Sequence, residues 1–155
     1  MYNFVDQSPH RLTSGSRFIL VAMRGWVVSA EQNLCPPVTL ARSFLQMAMY
    51  PVLHEFHIFM LGIHRNGQVG MAFGPLYHER IMEMEAVLLA LWSDIVADRG
   101  ERAQAVLELL VVEPVVEPLM ACMVRIAAHM STLGLAPSGI SPSHPQHSDG
   151  ARQRR

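Results

Sequence analysis

Three histidines near the middle of the chain form the clearest pattern that can do chemistry. His54, His57 and His64 fall at i, i+3 and i+10 of a predicted helix, which gathers their side chains within roughly 80° of one side. Imidazole binds transition metals, so this side of the helix is a candidate metal site. The alternative is a half-solvated row of histidines beside the apolar face of an amphipathic helix. We favour the alternative, because the sequence has neither the His-x-x-x-His spacing of zinc protease helices nor any Glu-x-x-His.

A cysteine followed by proline raises the separate question of haem. Cys35-Pro36 is a dipeptide found where a thiolate ligates haem, and eleven methionines and eight histidines supply further axial ligands. The same dipeptide is common where helices begin, and methionine at regular helical spacing ordinarily fills a core. We therefore predict no cofactor and keep a transition metal or haem as an alternative.

A third group lies in the last predicted helix. Cys122, Arg125 and His129 fall at i, i+3 and i+7, a spacing in which cations can activate a thiolate. No acidic residue of the same helix is placed to orient His129, and a cysteine inside a helix usually acts as a small buried apolar residue. The chain also has no Gly-x-Ser-x-Gly sequence and no phosphate-binding glycine loop. Catalysis therefore has no positive sign in the sequence.

The composition indicates one soluble domain with apolar surface to cover. Half of the 155 residues are apolar and only 16% are charged, so a core forms readily and an exposed apolar patch is expected. Such patches usually bind a protein partner or a second copy of the same chain. Two cysteines are too few for a disulfide framework, which fits the reducing cytoplasm of a bacterial cell.

The distribution of charge bears on nucleic acid and on membranes. Residues 79–117 hold nine acidic residues and three arginines, whereas a nucleic-acid site needs clustered basic residues. No apolar run reaches the eighteen residues of a membrane span, and Arg24 interrupts the apolar run near the start of the chain. We expect neither nucleic acid as a partner nor a membrane span, nor export from the cell.

Six helices are predicted from apolar residues that recur every three or four positions. The predicted ranges are 17–33, 38–49, 52–65, 77–98, 101–112 and 115–133. Pro51 and Pro114 separate neighbouring helices, since proline lacks the amide hydrogen that a helix interior needs. Ser14 or Ser16 is expected to cap the first helix. Residues 68–73 form the one plausible extended segment, and glycines keep it very short.

These elements predict a single all-α domain of five or six helices in an irregular bundle or orthogonal array. Residues 1–16 are predicted to form an N-terminal arm, residues 17–135 the helical domain and residues 136–155 a disordered tail, which lacks any apolar period. The function predicted is a non-enzymatic interaction or regulatory protein that acts as an oligomer or with a protein partner. The alternatives are a metal- or haem-binding helical protein and a small enzyme whose site is assembled across helices.

Overall fold

Six α-helices build the domain in the computed structural model, which describes residues 3–141. The helices are α1 (Ser14–Glu31), α2 (Pro36–Gln46), α3 (Leu53–Asn66), α4 (Glu83–Val96), α5 (Gly100–Leu110) and α6 (Glu113–Thr132). Within that range there is no β-strand, and residues 68–73 are irregular. The prediction of an all-α domain is confirmed. None of the helices described is both long and apolar enough to cross a membrane.

Prolines set several of the helix boundaries, as predicted. Pro36 and Pro37 begin α2, and Pro114 lies in the first turn of α6, where a missing amide hydrogen costs nothing because it would have no helical partner. Pro51 lies in a short 3-10 turn, Tyr50–Val52, between α2 and α3. This proline therefore lies in the turn that separates α2 from α3.

The first helix begins earlier than predicted and has a different cap. Thr13 is the N-cap residue, and its side-chain oxygen accepts a hydrogen bond from the Ser16 amide at 3.3 Å. The prediction of Ser14 or Ser16 as the cap is wrong. Three hydroxyl residues stand close together in this stretch and each has the chemistry of a cap, so local sequence alone does not choose among them.

The fourth helix begins later than predicted, at Glu83 rather than at residue 77. Residues 77–82 form a loop in which two carbonyl groups accept hydrogen bonds from a side chain instead of from a following helical turn. The guanidinium of Arg24 donates to the carbonyl oxygens of His78 at 2.9 Å and Arg80 at 2.7 Å. Glu85 accepts from the Met82 amide at 2.8 Å, which satisfies an amide at the start of the helix. Residues 77–82 therefore form hydrogen bonds with a distant side chain instead of the helix that their apolar spacing predicts.

The core lies where α1, α3, α4 and α6 meet. α3 packs along α6, α1 along α2, and α4 along α5. Among the largest buried side chains, all but Arg24 are aromatic: Trp26, Phe44, Phe56, Phe59 and Trp92. Aromatic rings in edge-on contact join the helices, as between Phe59 and Trp92, whose ring centres are 5.2 Å apart.

The two ends of the described chain pack together against the start of α1. Leu12 pairs with Ile140 in an isolated antiparallel bridge, and the Thr13 amide donates to the Gly139 carbonyl at 3.0 Å. The Ser141 amide donates to the Arg11 carbonyl at 2.9 Å. Residues 139–141 of the predicted tail, which covers residues 136–155, are therefore bonded to the residues that precede α1. Residues 142–155 of that predicted tail lie outside the described residues.

Candidate functional site

The three candidate histidines lie on α3, and two of them lie beside an indole of α1. Trp26 is buried, and its Nε1–H donates to Nδ1 of His57 at 3.0 Å. The ring of His64 lies with its centre 5.7 Å from that of the same indole. His54 is exposed. Two of the three imidazoles therefore cover Trp26.

This arrangement bears on the metal interpretation. The Trp26 bond occupies one of the two ring nitrogens of His57, which leaves Nε2 for another partner. Between residues 3 and 141, no three side chains of His, Cys, Asp or Glu are grouped closely enough to hold a metal ion. A metal site at His54, His57 and His64 stays a prediction.

The surroundings of His57 shift its pKa. Burial lowers the pKa of His57 below its ordinary 6.5, and the charges of His54 and Arg65 lower it further. As the pH falls below 6.5, the unfolded chain takes up this proton before the folded protein does, so the free energy of unfolding decreases until the lowered pKa is reached. Above about pH 6.5 the titration of His57 no longer changes the free energy of unfolding.

We expect His57→Asn to lessen the loss of stability between about pH 7 and pH 5, since the asparagine Oδ1 can accept the Trp26 bond and does not titrate. Urea unfolding of both proteins at the two pH values measures the difference. The contribution is small, because His57 is partly exposed. An equal or larger pH-dependent loss in the variant contradicts the assignment.

Cys122 is not an activated nucleophile in this fold. Burial raises the pKa of the Cys122 thiol, and the opposing effect of Arg125, whose Nη2 is 3.7 Å from Sγ, is smaller. Nε2 of His129 lies 2.8 Å from the Ala48 carbonyl oxygen and so is engaged elsewhere. Cys35 is exposed at the start of α2 and its side chain makes no capping bond. Cys122 therefore behaves as a thiol within the core.

A buried ion pair joins α1 to α4. Nε of Arg24 lies 2.7 Å from Oε1 of Glu85, and Nη2 lies 2.8 Å from Oε2, which is bidentate geometry. The two residues are 2% and 0% exposed. Glu85 also accepts from the Gly74 amide at 2.8 Å. The pair therefore holds both ends of the loop between residue 74 and α4.

Sequence reasoning missed this pair, although two signals were present. Arg24 interrupts an apolar run, and Glu85 lies among apolar residues on the buried side of its helix, one turn after Ile81 and one turn before Leu88. A charge on an apolar face is either a partner in a buried pair or an interface residue. Nothing in the sequence matches one charge to the other across sixty-one positions.

A cleft opens at the surface above Arg24. It has a volume of about 600 Å³ and lies between residues 6–10, α1 and residues 76–80. This is within the size range of small-molecule sites.

The outer face of α2 carries exposed apolar side chains. Val38 and Leu45 are 74% and 61% exposed, and they lie two helical turns apart on one side. Leu34, in the turn that precedes the helix, is 51% exposed. A groove of about 300 Å³ runs between α2 and α1, lined mainly by Phe18, Val21, Leu40, Phe44, Met47 and Leu76. Neither Val38 nor Leu45 lines this groove, and we call Leu34, Val38 and Leu45 the α2 surface.

Comparison with family models, with curated proteins and with solved structures finds no match to this chain. Function is therefore inferred from the geometry of the molecule itself.

Proposed function

We propose that this chain is a non-enzymatic interaction protein whose α2 surface binds an amphipathic helix of a protein partner. The observation that carries the proposal is the exposure of Val38 and Leu45 on one face of α2. Water-exposed apolar side chains that share a helix face gain free energy when another apolar surface covers them. An amphipathic helix that lays its apolar face on another apolar surface is a common mode of recognition and uses apolar anchors at this spacing.

The charge of the α2 surface favours a particular kind of helix. Arg42 lies between Val38 and Leu45, and the sequence from residue 32 to residue 53 contains no acidic residue and no other arginine. An acidic residue of the partner placed opposite Arg42 would be attracted to it. We therefore assign the surface to a helix with apolar residues on one face and acidic residues beside them.

The same arginine disfavours a second copy of the chain as the occupant. A two-fold axis that packs Val38 of one copy on Leu45 of the other brings the two Arg42 side chains together at the centre. Like charges in contact weaken such an interface. Self-association through α2 is therefore the competing outcome of the test rather than the proposal.

The proposal predicts selective binding of a designed acidic helix. The probe is a fluorescent peptide of about 18 residues, long enough to form a helix on binding, with leucines on one face and glutamates beside them. We expect fluorescence anisotropy to show binding that becomes at least about tenfold weaker in Val38→Asp/Leu45→Asp, because a charge on each anchor opposes burial. A peptide with lysine in place of glutamate should bind more weakly than the acidic one, and Arg42→Glu should reverse that preference.

Leu109→Asp is the matched control, since Leu109 is 72% exposed but lies on α5. It should leave binding of the acidic peptide unchanged. Equal binding by the α2 variant, or no effect of Arg42→Glu on the preference between peptides, overturns the proposal. Light scattering that shows a dimer which Val38→Asp/Leu45→Asp dissociates would assign the surface to self-association instead.

A further inference from the structure

We infer that the cleft above Arg24 is a binding site for a small organic anion with an apolar body. It is separate from the proposed interaction through the α2 surface, none of whose residues lines the cleft. The inference rests on three features of the cleft: walls that are held in place, a buried donor at its floor, and arginines at its rim.

The walls of the cleft are fixed by hydrogen bonds. The loop wall is bonded to Arg24 through the carbonyls of His78 and Arg80. The N-terminal wall is bonded to the loop, since the Asp6 amide donates to the Ile81 carbonyl at 3.1 Å and the Ile81 amide donates to the Gln7 carbonyl at 3.0 Å. A cleft held open in this way loses little entropy when a ligand enters.

The floor of the cleft contains a buried cation that has a donor to spare. A guanidinium has five N–H groups. Those of Arg24 make four bonds within the part of the chain that the structure describes: two to Glu85, one to His78 and one to Arg80. Only 2% of the surface of Arg24 is exposed, yet the residue lines the cleft. A ligand oxygen would satisfy the fifth N–H, and an anionic oxygen satisfies it best.

The rim supplies charge that is available to a ligand. Arg17 and Arg80 are exposed at the cleft, and across residues 3–141 neither is in an ion pair. Asp6 and Glu79 are also at the rim, so the net charge there is near zero. Because the two acidic residues offset the two arginines, a bare inorganic anion is a poor ligand. The anionic group of a ligand is attracted only where it lies close to the arginines.

Ser8, His10 and His78 also line the cleft, and part of its wall is apolar. Leu20, Val21 and Leu76 line the cleft, and Tyr77 stands beside them with 90% of its surface exposed. An exposed tyrosine ring can stack on a flat apolar group. The ligand class is therefore a small carboxylate or phosphate ester that carries an aromatic or similar apolar body.

The experiment uses the full chain and four probes: phenylpropionate, phenyl phosphate, inorganic phosphate and benzyl alcohol. Calorimetry and amide chemical shifts should show that the two aromatic anions bind and shift residues 76–80. Inorganic phosphate and benzyl alcohol should each bind at least about tenfold more weakly, because each lacks one half of the recognised chemistry. Whichever aromatic anion binds more tightly decides between a carboxylate and a phosphate ester.

Arg17→Gln/Arg80→Gln is the test variant, because both side chains are exposed and their loss leaves the core intact. It should weaken binding of the aromatic anions at least about tenfold. Arg65→Gln, an exposed arginine on α3, should leave that binding unchanged. The inference is overturned if neither aromatic anion binds, if benzyl alcohol binds as well as they do, or if both variants weaken binding equally.

Discussion

Glu85→Ala is expected to lower the free energy of unfolding by about 3–5 kcal/mol, the range found when one member of a buried ion pair is removed. The variant leaves the Arg24 guanidinium buried without a counter-charge. It also leaves the amides of Gly74 and Met82 without their acceptor. Since a domain of this kind is stable by about 5–15 kcal/mol, the loss is a large share of the total. Urea unfolding followed by circular dichroism at neutral pH measures it.

Glu83→Ala is the matched control, because Glu83 is an exposed glutamate in the first turn of the same helix. Its change should stay within about 1 kcal/mol, the usual contribution of an acidic residue near a helix start. If Glu85→Ala costs no more than Glu83→Ala, then the buried pair does not hold the loop in solution.

The pair differs from a simple buried ion pair in one testable respect. Replacing both charges by apolar residues of similar size is often neutral in other proteins. Here Arg24 also bonds two loop carbonyls and Glu85 also bonds two amides. Arg24→Met with Glu85→Leu would leave all four backbone groups unsatisfied in or near the core. The stabilising role of the pair therefore includes the loop as well as the charges themselves.

Helix boundaries and buried helix faces that depend on neighbouring residues could be predicted from the sequence. Proline lacks the amide hydrogen that a helix interior needs, so the joints at Pro36, Pro51 and Pro114 follow from the local sequence, although Pro118 lies inside α6. The apolar periods of α3 and α6 likewise survive in the fold, because both helices bury one face against each other.

The features that depend on distant partners could not be predicted. Residues 77–82 have a helical apolar period, but the carbonyls of His78 and Arg80 bond to a side chain more than fifty positions away. For the histidines, the shared helix face was visible in the sequence. The indole of Trp26 that His57 and His64 cover comes from another helix, and no pattern in the sequence joins them.

Gly15→Ala is expected to destabilise the protein by about 2–3 kcal/mol, toward the upper end of the usual cost of adding a methyl group where there is no room. A β-carbon at Gly15 would lie 2.7 Å from the carbonyl carbon of Leu135, closer still to its oxygen, and 3.1 Å from the carbonyl carbon of Ala136. These are backbone atoms, so no side chain can rotate away. The segment after α6 must therefore move off the first turn of α1.

Movement of that segment should change local hydrogen exchange as well as lower the free energy of unfolding. The Gly139 amide donates to Oγ of Ser16 at 3.2 Å, and the Ser141 amide donates to the Arg11 carbonyl. In Gly15→Ala the amides of Gly139 and Ser141 should exchange with solvent faster than in the unmodified chain, while amides in the middle of α3 should show only the global change. Urea unfolding together with hydrogen exchange measures both effects.

Gly100→Ala is the matched control for this substitution. Gly100 also stands in the first turn of a helix, α5, and a β-carbon there would meet no atom within 4 Å. Alanine at this position should be neutral or stabilising by up to about 1 kcal/mol, because it restricts the unfolded chain more than glycine does. If Gly15→Ala were equally well tolerated, residues 135–141 would not be held against α1, and the packing of the two chain ends described above would be wrong.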